Sequence, residues 1–216
     1  MDVALPATYS DLTLAQAMTL YTSHDQTEWV SQCSGLTIDA VRQLPVAQYE
    51  RACKYLFDLK EAATAKHQRT FTLEGNEYGF IPDWTKFTTG EWIDMERYTD
   101  DWWANADKIM ALLYRRVVRR FGSAYTIAEY TAEENAEVMR QMPAEYANGA
   151  LVFFWTIKNR RLTGTRQSLL KAARQGLLLP SGDGITRSTS WRTKVGRAWT
   201  LLRRNLSKSR FSTSRI

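Results

Sequence analysis

Apolar side chains recur at intervals of three and four residues through the first third of the chain, a spacing that predicts a succession of short helices. Leu12 to Tyr21 starts beside a threonine able to cap it, Asp25 to Ser34 is stopped by Gly35, and Thr37 caps Ile38 to Leu44 before Pro45 interrupts the run. From Val46 to about Lys66, Ala52, Tyr55, Leu56, Leu59 and Ala63 line one face of a longer amphipathic helix. The period then shortens to two. Alternation on either side of Gly75-Asn76 predicts a β-hairpin over residues 69–80, closed by Pro82.

Beyond the hairpin a new helix begins at Thr88. Asp101 to Arg119 reads as the strongest helix in the middle of the chain, with Ile109, Leu112, Leu113 and Val117 on its core face and Lys108, Arg115, Arg116, Arg119 and Arg120 around them. Phe121-Gly122 ends it, and Ala124 to Tyr130 reads as one further short strand. Glu133 to Gln141, Pro143 to Arg161 and the basic Arg166 to Gly176 complete the helices, the second with proline in its first turn. The expected fold is therefore mainly α: a helical bundle with a small β-hairpin and a basic C-terminal arm. Leu177-Leu178-Leu179-Pro180-Ser181-Gly182 is the clearest boundary. The expected organisation is an N-terminal helical subdomain (1–68), a central helical body with the hairpin (69–176) and the arm (177–216).

Charge alters this picture more than overall composition does. Of the formal net +6, residues 1–100 carry eight basic and fifteen acidic side chains, whereas residues 165–216 carry twelve basic and one acidic. In that last segment Trp191, Val195, Ala198, Trp199 and Leu202 fall at helical spacing among Arg192, Lys194, Arg197, Arg203 and Arg204, the pattern of a basic amphipathic helix. Arg187, Lys208 and Arg210 extend the basic run. Nucleic-acid phosphates, an acidic membrane surface and an acidic protein groove all suit such an element. No base-reading motif accompanies it, so contact with nucleic acid is expected to be independent of sequence and sensitive to salt.

Candidate chemistry is sparse. The glycines are isolated and lack the spacing of a phosphate-binding loop. Asp94/Glu96, Asp100/Asp101 and Glu133/Glu134 diverge on a helix and read as solvated faces or partners of helix N-termini. Cys33 and Cys53 have neither redox nor metal-ligand spacing and read as buried thiols, and His24 and His67 sit in polar helical contexts with no nucleophile beside them. No catalytic residue, metal site or cofactor is expected, and no apolar run is long enough to span a membrane. The tryptophans offer more. Trp92 and Trp155 read as core, but adjacent Trp102 and Trp103 cannot easily both face one core, so one of the two is expected to meet a neighbouring element or another chain. Trp191 and Trp199 are expected to serve the arm's interface.

Three stretches carry a family resemblance: Tyr78-Gly79-Phe80-Ile81-Pro82-Asp83, Thr88-Thr89-Gly90-Glu91-Trp92-Ile93-Asp94-Met95-Glu96, and Lys108-Ile109-Met110-Ala111-Leu112-Leu113-Tyr114-Arg115. Together with Gly149-Ala150-Leu151-Val152-Phe153-Phe154-Trp155 they resemble a pattern in proteins of tailed bacteriophages encoded among portal, capsid and tail genes. The resemblance spans roughly residues 36–160. Arg116 departs from it, since relatives often carry proline after the Tyr-Arg pair, and the arm lies outside it. It implies a non-enzymatic virion or assembly protein, located in the virion and, during assembly, in the host cytoplasm. The implied partners are portal, capsid or tail components, with packaged DNA a further one. A tail-assembly chaperone absent from the mature particle and a sequence-independent DNA-binding protein are the alternatives.

Overall fold

A computed structural model describes residues 3–131 and 135–154 of the chain. Four helices open it: α1 (Leu14–Thr22), α2 (Gln26–Ser34), α3 (Ile38–Arg42) and α4 (Val46–Glu61). Each start follows from local chemistry. Thr13 and Gln16 form a reciprocal capping box, Asp25 accepts from the Thr27 amide, and Thr37 accepts from the Ala40 amide. Gly35 ends α2 at φ 75°, a conformation that glycine adopts without a Cβ penalty. Leu12, Leu20, Val30, Val41, Leu56 and Leu59 form the core of this layer. Both cysteines are free and buried within it, and burial pushes the Cys33 thiol up to about 12.

The sheet is larger than the pattern of residues predicts. Strands β1 (Thr70–Leu73), β2 (Asn76–Phe80), β3 (Tyr114–Phe121) and β4 (Ala124–Ile127) pair antiparallel in the order β1-β2-β3-β4. Between β2 and β3 lie α5 (Thr89–Thr99) and α6 (Ala106–Leu113); after β4 come α7 (Ala136–Met139) and α8, helical over the described residues 144–154. The expected helical bundle with one small hairpin is thus corrected to an α+β fold with a four-stranded antiparallel sheet. The expected helix over Asp101–Arg119 is replaced by a turn, the short α6, and then a strand that starts at Tyr114.

The reason for the error is physical. Ile109, Leu112 and Leu113 do mark a helical face and are fully buried, but Val117 satisfies either a helical or an extended period. The first hairpin leaves one edge of β2 open, and Tyr114-Arg115-Arg116 fills it, with Phe80 opposite Tyr114, Gly79 opposite Arg115 and Tyr78 opposite Arg116. Val117, Val118 and Phe121 favour the extended state, and Gly122 at φ 59° turns the chain back into β4. Smaller differences concern ends only: α4 stops at Glu61, and the strand expected to reach Tyr130 stops at Ile127. The expected helix from Glu133 is seen as Ala136–Met139, the basic helix over 166–176 lies outside the described residues, and so does the arm.

A second core joins the sheet to α5, α6, α7 and α8 through Tyr78, Phe80, Met95, Ile109, Leu113, Tyr114, Met139 and Phe154. The two cores interlock. Leu14 of α1 belongs to the second core and Ala144 of α8 to the first. The Leu14 and Ala15 amides donate to the carbonyls of Met142 and Arg140, and the Ala144 amide donates to that of Leu12. Farther along α8, buried Asn148 donates to Tyr9 Oη and to the Thr64 carbonyl, each at 2.9 Å. One residue on, a Cβ at Gly149 would stand 2.2 Å from the backbone of Lys66 and 2.4 Å from the His67 nitrogen.

This contact defines a test. An exposed helical glycine replaced by alanine gains about 1 kcal/mol. Gly149→Ala is expected to do the reverse, destabilising the fold by at least about 2 kcal/mol because the obstructing atoms are backbone. That corresponds to a Tm lower by roughly 4–8 °C, read by thermal melting, and an unchanged or raised Tm would refute the close crossing.

Candidate functional site

The strand that sequence periodicity concealed is also the most distinctive surface. At its first residues β3 is locked into the body. The Arg115 guanidinium pairs with the Glu91 carboxylate, its Nε donates to the Leu112 carbonyl at 3.2 Å, and it lies over the Tyr130 ring at 5.4 Å. The two charged side chains are only 10% and 5% exposed. Glu91 is itself the third helical residue of α5, where its other oxygen accepts from the Thr88 amide in a capping box. One carboxylate therefore fixes both the start of α5 and the start of β3. A second buried carboxylate, Asp107 of α6, accepts from Arg140 Nε at 2.8 Å and ties α6 to the end of α7.

Past Arg116, β3 has no further partner on the β2 side and continues as a two-stranded ribbon with β4: Val117 faces Ile127, Arg119 faces Thr126, Arg120 faces Tyr125 and Phe121 faces Ala124. A bulge at Val118 leaves that side chain 62% exposed, and Phe121 at the turn is 65% exposed. The register sets Arg116 and Arg119 on the face of Tyr78. Arg120 and Tyr125 occupy the opposite face, where the Tyr125 ring covers Gly79; any Cβ there would meet it at 2.4 Å. The Tyr125 hydroxyl lies 2.7 Å from the Phe80 carbonyl and 3.1 Å from that of Arg69, and the Arg69 guanidinium sits over the Tyr125 ring at 5.5 Å.

Four exposed arginines, Arg69, Arg116, Arg119 and Arg120, consequently surround this ribbon. Arg120 pairs with Glu77 at 3.0 Å, whereas Arg116 and Arg119 have no ion-pair partner among the described residues. Glu129 lies at the foot of β4. Sequence reading placed Arg115, Arg116, Arg119 and Arg120 around a helix and assigned none to an interface. The Val117-Val118 pair and the Phe121-Gly122-Ser123-Ala124 turn were the available signal.

Trp102 and Trp103 lie in the turn before α6, both half-buried against the second core. Trp103 also packs on the first core and stacks on Tyr21 with centroids 3.9 Å apart and planes 9° from parallel. The Trp102 indole N–H is buried without a hydrogen-bond partner among the described residues. Trp92 packs against the second core. The expected arm residues, Arg187, Arg192, Lys194, Arg197, Arg203, Arg204, Lys208, Arg210, Trp191 and Trp199, lie outside the described residues, as does Trp155. Among the described residues no three or more His, Cys, Asp or Glu side chains are placed to hold a metal ion, and no helix is long and apolar enough to cross a membrane.

The fold and this surface define an α+β protein with an interlocked helical body and a basic, partly apolar β-ribbon whose Tyr125 side is packed on β2. Comparison with known proteins finds no matching family model, no similar curated protein and no similar solved structure.

The shared carboxylate gives an ordered series of stabilities in urea denaturation. Thr88→Ala removes a cap and is expected to cost about 1 kcal/mol. Glu91→Ala strands the buried Arg115 charge and is expected to cost about 3–5 kcal/mol. The double variant Glu91→Leu/Arg115→Met is expected to recover most of that loss, and equal destabilisation by Glu91→Ala and Thr88→Ala would show that the ion pair does not anchor β3.

Proposed function

We propose that the protein is a non-enzymatic component of a tailed-phage particle, at the head, neck or head interior. Its folded body binds other particle proteins, and its basic surfaces contact packaged DNA or an acidic neighbour. The observation that carries this reading is the segregation of charge along the chain: eight basic against fifteen acidic side chains in residues 1–100, and twelve against one in residues 165–216. A run of basic residues in a chain whose remainder has the opposite bias favours a polyanionic partner. The ribbon adds basic surface within the body, with Val118 and Phe121 as exposed apolar contacts. The assignment to a phage rests on the resemblance of residues 78–83, 88–96, 108–115 and 149–155.

Mass spectrometry of purified particles is expected to find the protein at a fixed copy number. Its presence in the infected-cell lysate and absence from particles would replace this reading with that of an assembly chaperone. Deleting residues 182–216 is expected to impair assembly or DNA retention, and particles unaffected by the deletion would remove the role proposed for the arm.

A further inference from the structure

We propose that the exposed side of α4 is a self-association surface, on which a second copy of this chain packs antiparallel about a two-fold axis. Such a surface is separate from the basic ones and holds whether or not the chain belongs to a particle. The helix buries Ala52, Cys53, Leu56 and Leu59 in the first core. On its exposed side Val46, Glu50, Lys54 and Phe57 follow at spacings of four, four and three residues, which sets them in one stripe. Val46 is 71% and Phe57 51% exposed, more than any other large apolar side chain of the first layer. They stand about 16 Å apart along the axis, with two opposite charges between them. Glu50 and Lys54 are spaced to pair along the helix, yet neither forms an ion pair among the described residues.

The order of the charges selects the partner. A basic surface would repel Lys54, an acidic one would repel Glu50, and an apolar one would strip water from both without replacing it. A parallel copy would set Glu50 beside Glu50 and Lys54 beside Lys54. An antiparallel copy satisfies all four positions at once, because the midpoint between Val46 and Phe57 and that between Glu50 and Lys54 fall within half a residue of each other. A single two-fold axis at that height seats Val46 against Phe57 of the second copy and Glu50 against its Lys54, each contact occurring twice. Helices pack at interaxial distances of about 8–10 Å, within reach of both kinds of side chain. A contact along one helix of about 24 Å is small for a stable dimer. The expected association is therefore reversible, with Kd on the order of 10–100 µM.

Sedimentation velocity of the full chain at up to about 200 µM is expected to show a monomer–dimer equilibrium in that range. Val46→Glu sets a carboxylate against Phe57 and is expected to weaken association by about tenfold or more. Glu50→Lys and Lys54→Glu each place like charges across the axis, and each alone is expected to be monomeric. Mixed in equal amounts, the two are expected to dimerise again, one chain presenting two lysines and the other two glutamates. An interface elsewhere on the chain would not give that recovery. All three substitutions are at exposed positions, and thermal melts matching wild type establish that the variants are folded. A wild-type chain that stays monomeric throughout would overturn the proposal and leave the face to a different protein. A chain that dimerises only after residues 177–216 are removed would overturn it in favour of the arm as the occupant. A wild-type dimer that all three variants retain would overturn it by placing the interface elsewhere.

Discussion

The close crossing of α8 over the segment that leaves α4 holds the two halves of this protein in one arrangement. Gly149 lets backbone meet backbone, and beside it buried Asn148 satisfies the Thr64 carbonyl and the Tyr9 hydroxyl. The Lys66 amide donates to the Glu145 carbonyl at 2.9 Å in the same region. These contacts fix where the chain exits the first helical layer and therefore where β1 starts. The start of α8 is held by Leu12 and α1, so the layer and the sheet are referred to the same helix. Interlocking of this kind makes the cores interdependent: Leu14 and Ala144 each lie in the core of the other half.

From that frame the sheet grows outward by successive commitments. The hairpin of β1 and β2 offers an open edge, β3 takes it, and the Arg115–Glu91 pair then fixes β3 against α5. A buried ion pair is weak evidence for net stability, because desolvation offsets much of the Coulombic gain. Its geometric consequence is firmer. Were β3 to slip by one residue, Arg115 would leave Glu91 and Tyr130, and every side chain of the ribbon would change face. The pair thus specifies the register on which the placement of Arg116, Arg119 and Arg120 depends.

The helices of the first layer and α5 were legible because their signals are local: Thr13, Asp25, Thr37 and Thr88 act on amides two or three residues away, and Gly35 terminates its own helix. The first hairpin was legible for the same reason, although its turn falls at Glu74-Gly75, one residue before the expected Gly75-Asn76, and Asn76 opens β2 opposite Leu73. The third strand was not. Its identity depends on a pairing with β2 more than thirty residues earlier, while its local pattern of apolar positions continues that of α6. With the strand, the surface arginines of the candidate site were lost to view. The tryptophan pair was half legible: Trp102 and Trp103 both pack against the second core, against the expectation that one core could not easily take both, while Trp103 also reaches the first core.

Position explains why so many arginines can coexist in one short strand. In β3 the run Tyr114-Arg115-Arg116-Val117-Val118-Arg119-Arg120-Phe121 crosses from core to solvent, and each charge meets a different solution. Arg115 is desolvated and compensated by Glu91; Arg120 is partly exposed and held by Glu77; Arg116 and Arg119 are exposed, with no ion-pair partner among the described residues. An exposed arginine without an internal partner keeps its hydration, so the strand carries these two charges without a further buried compensation. Hence the four arginines of the strand overstate its uncompensated charge, which among the described residues is that of Arg116 and Arg119.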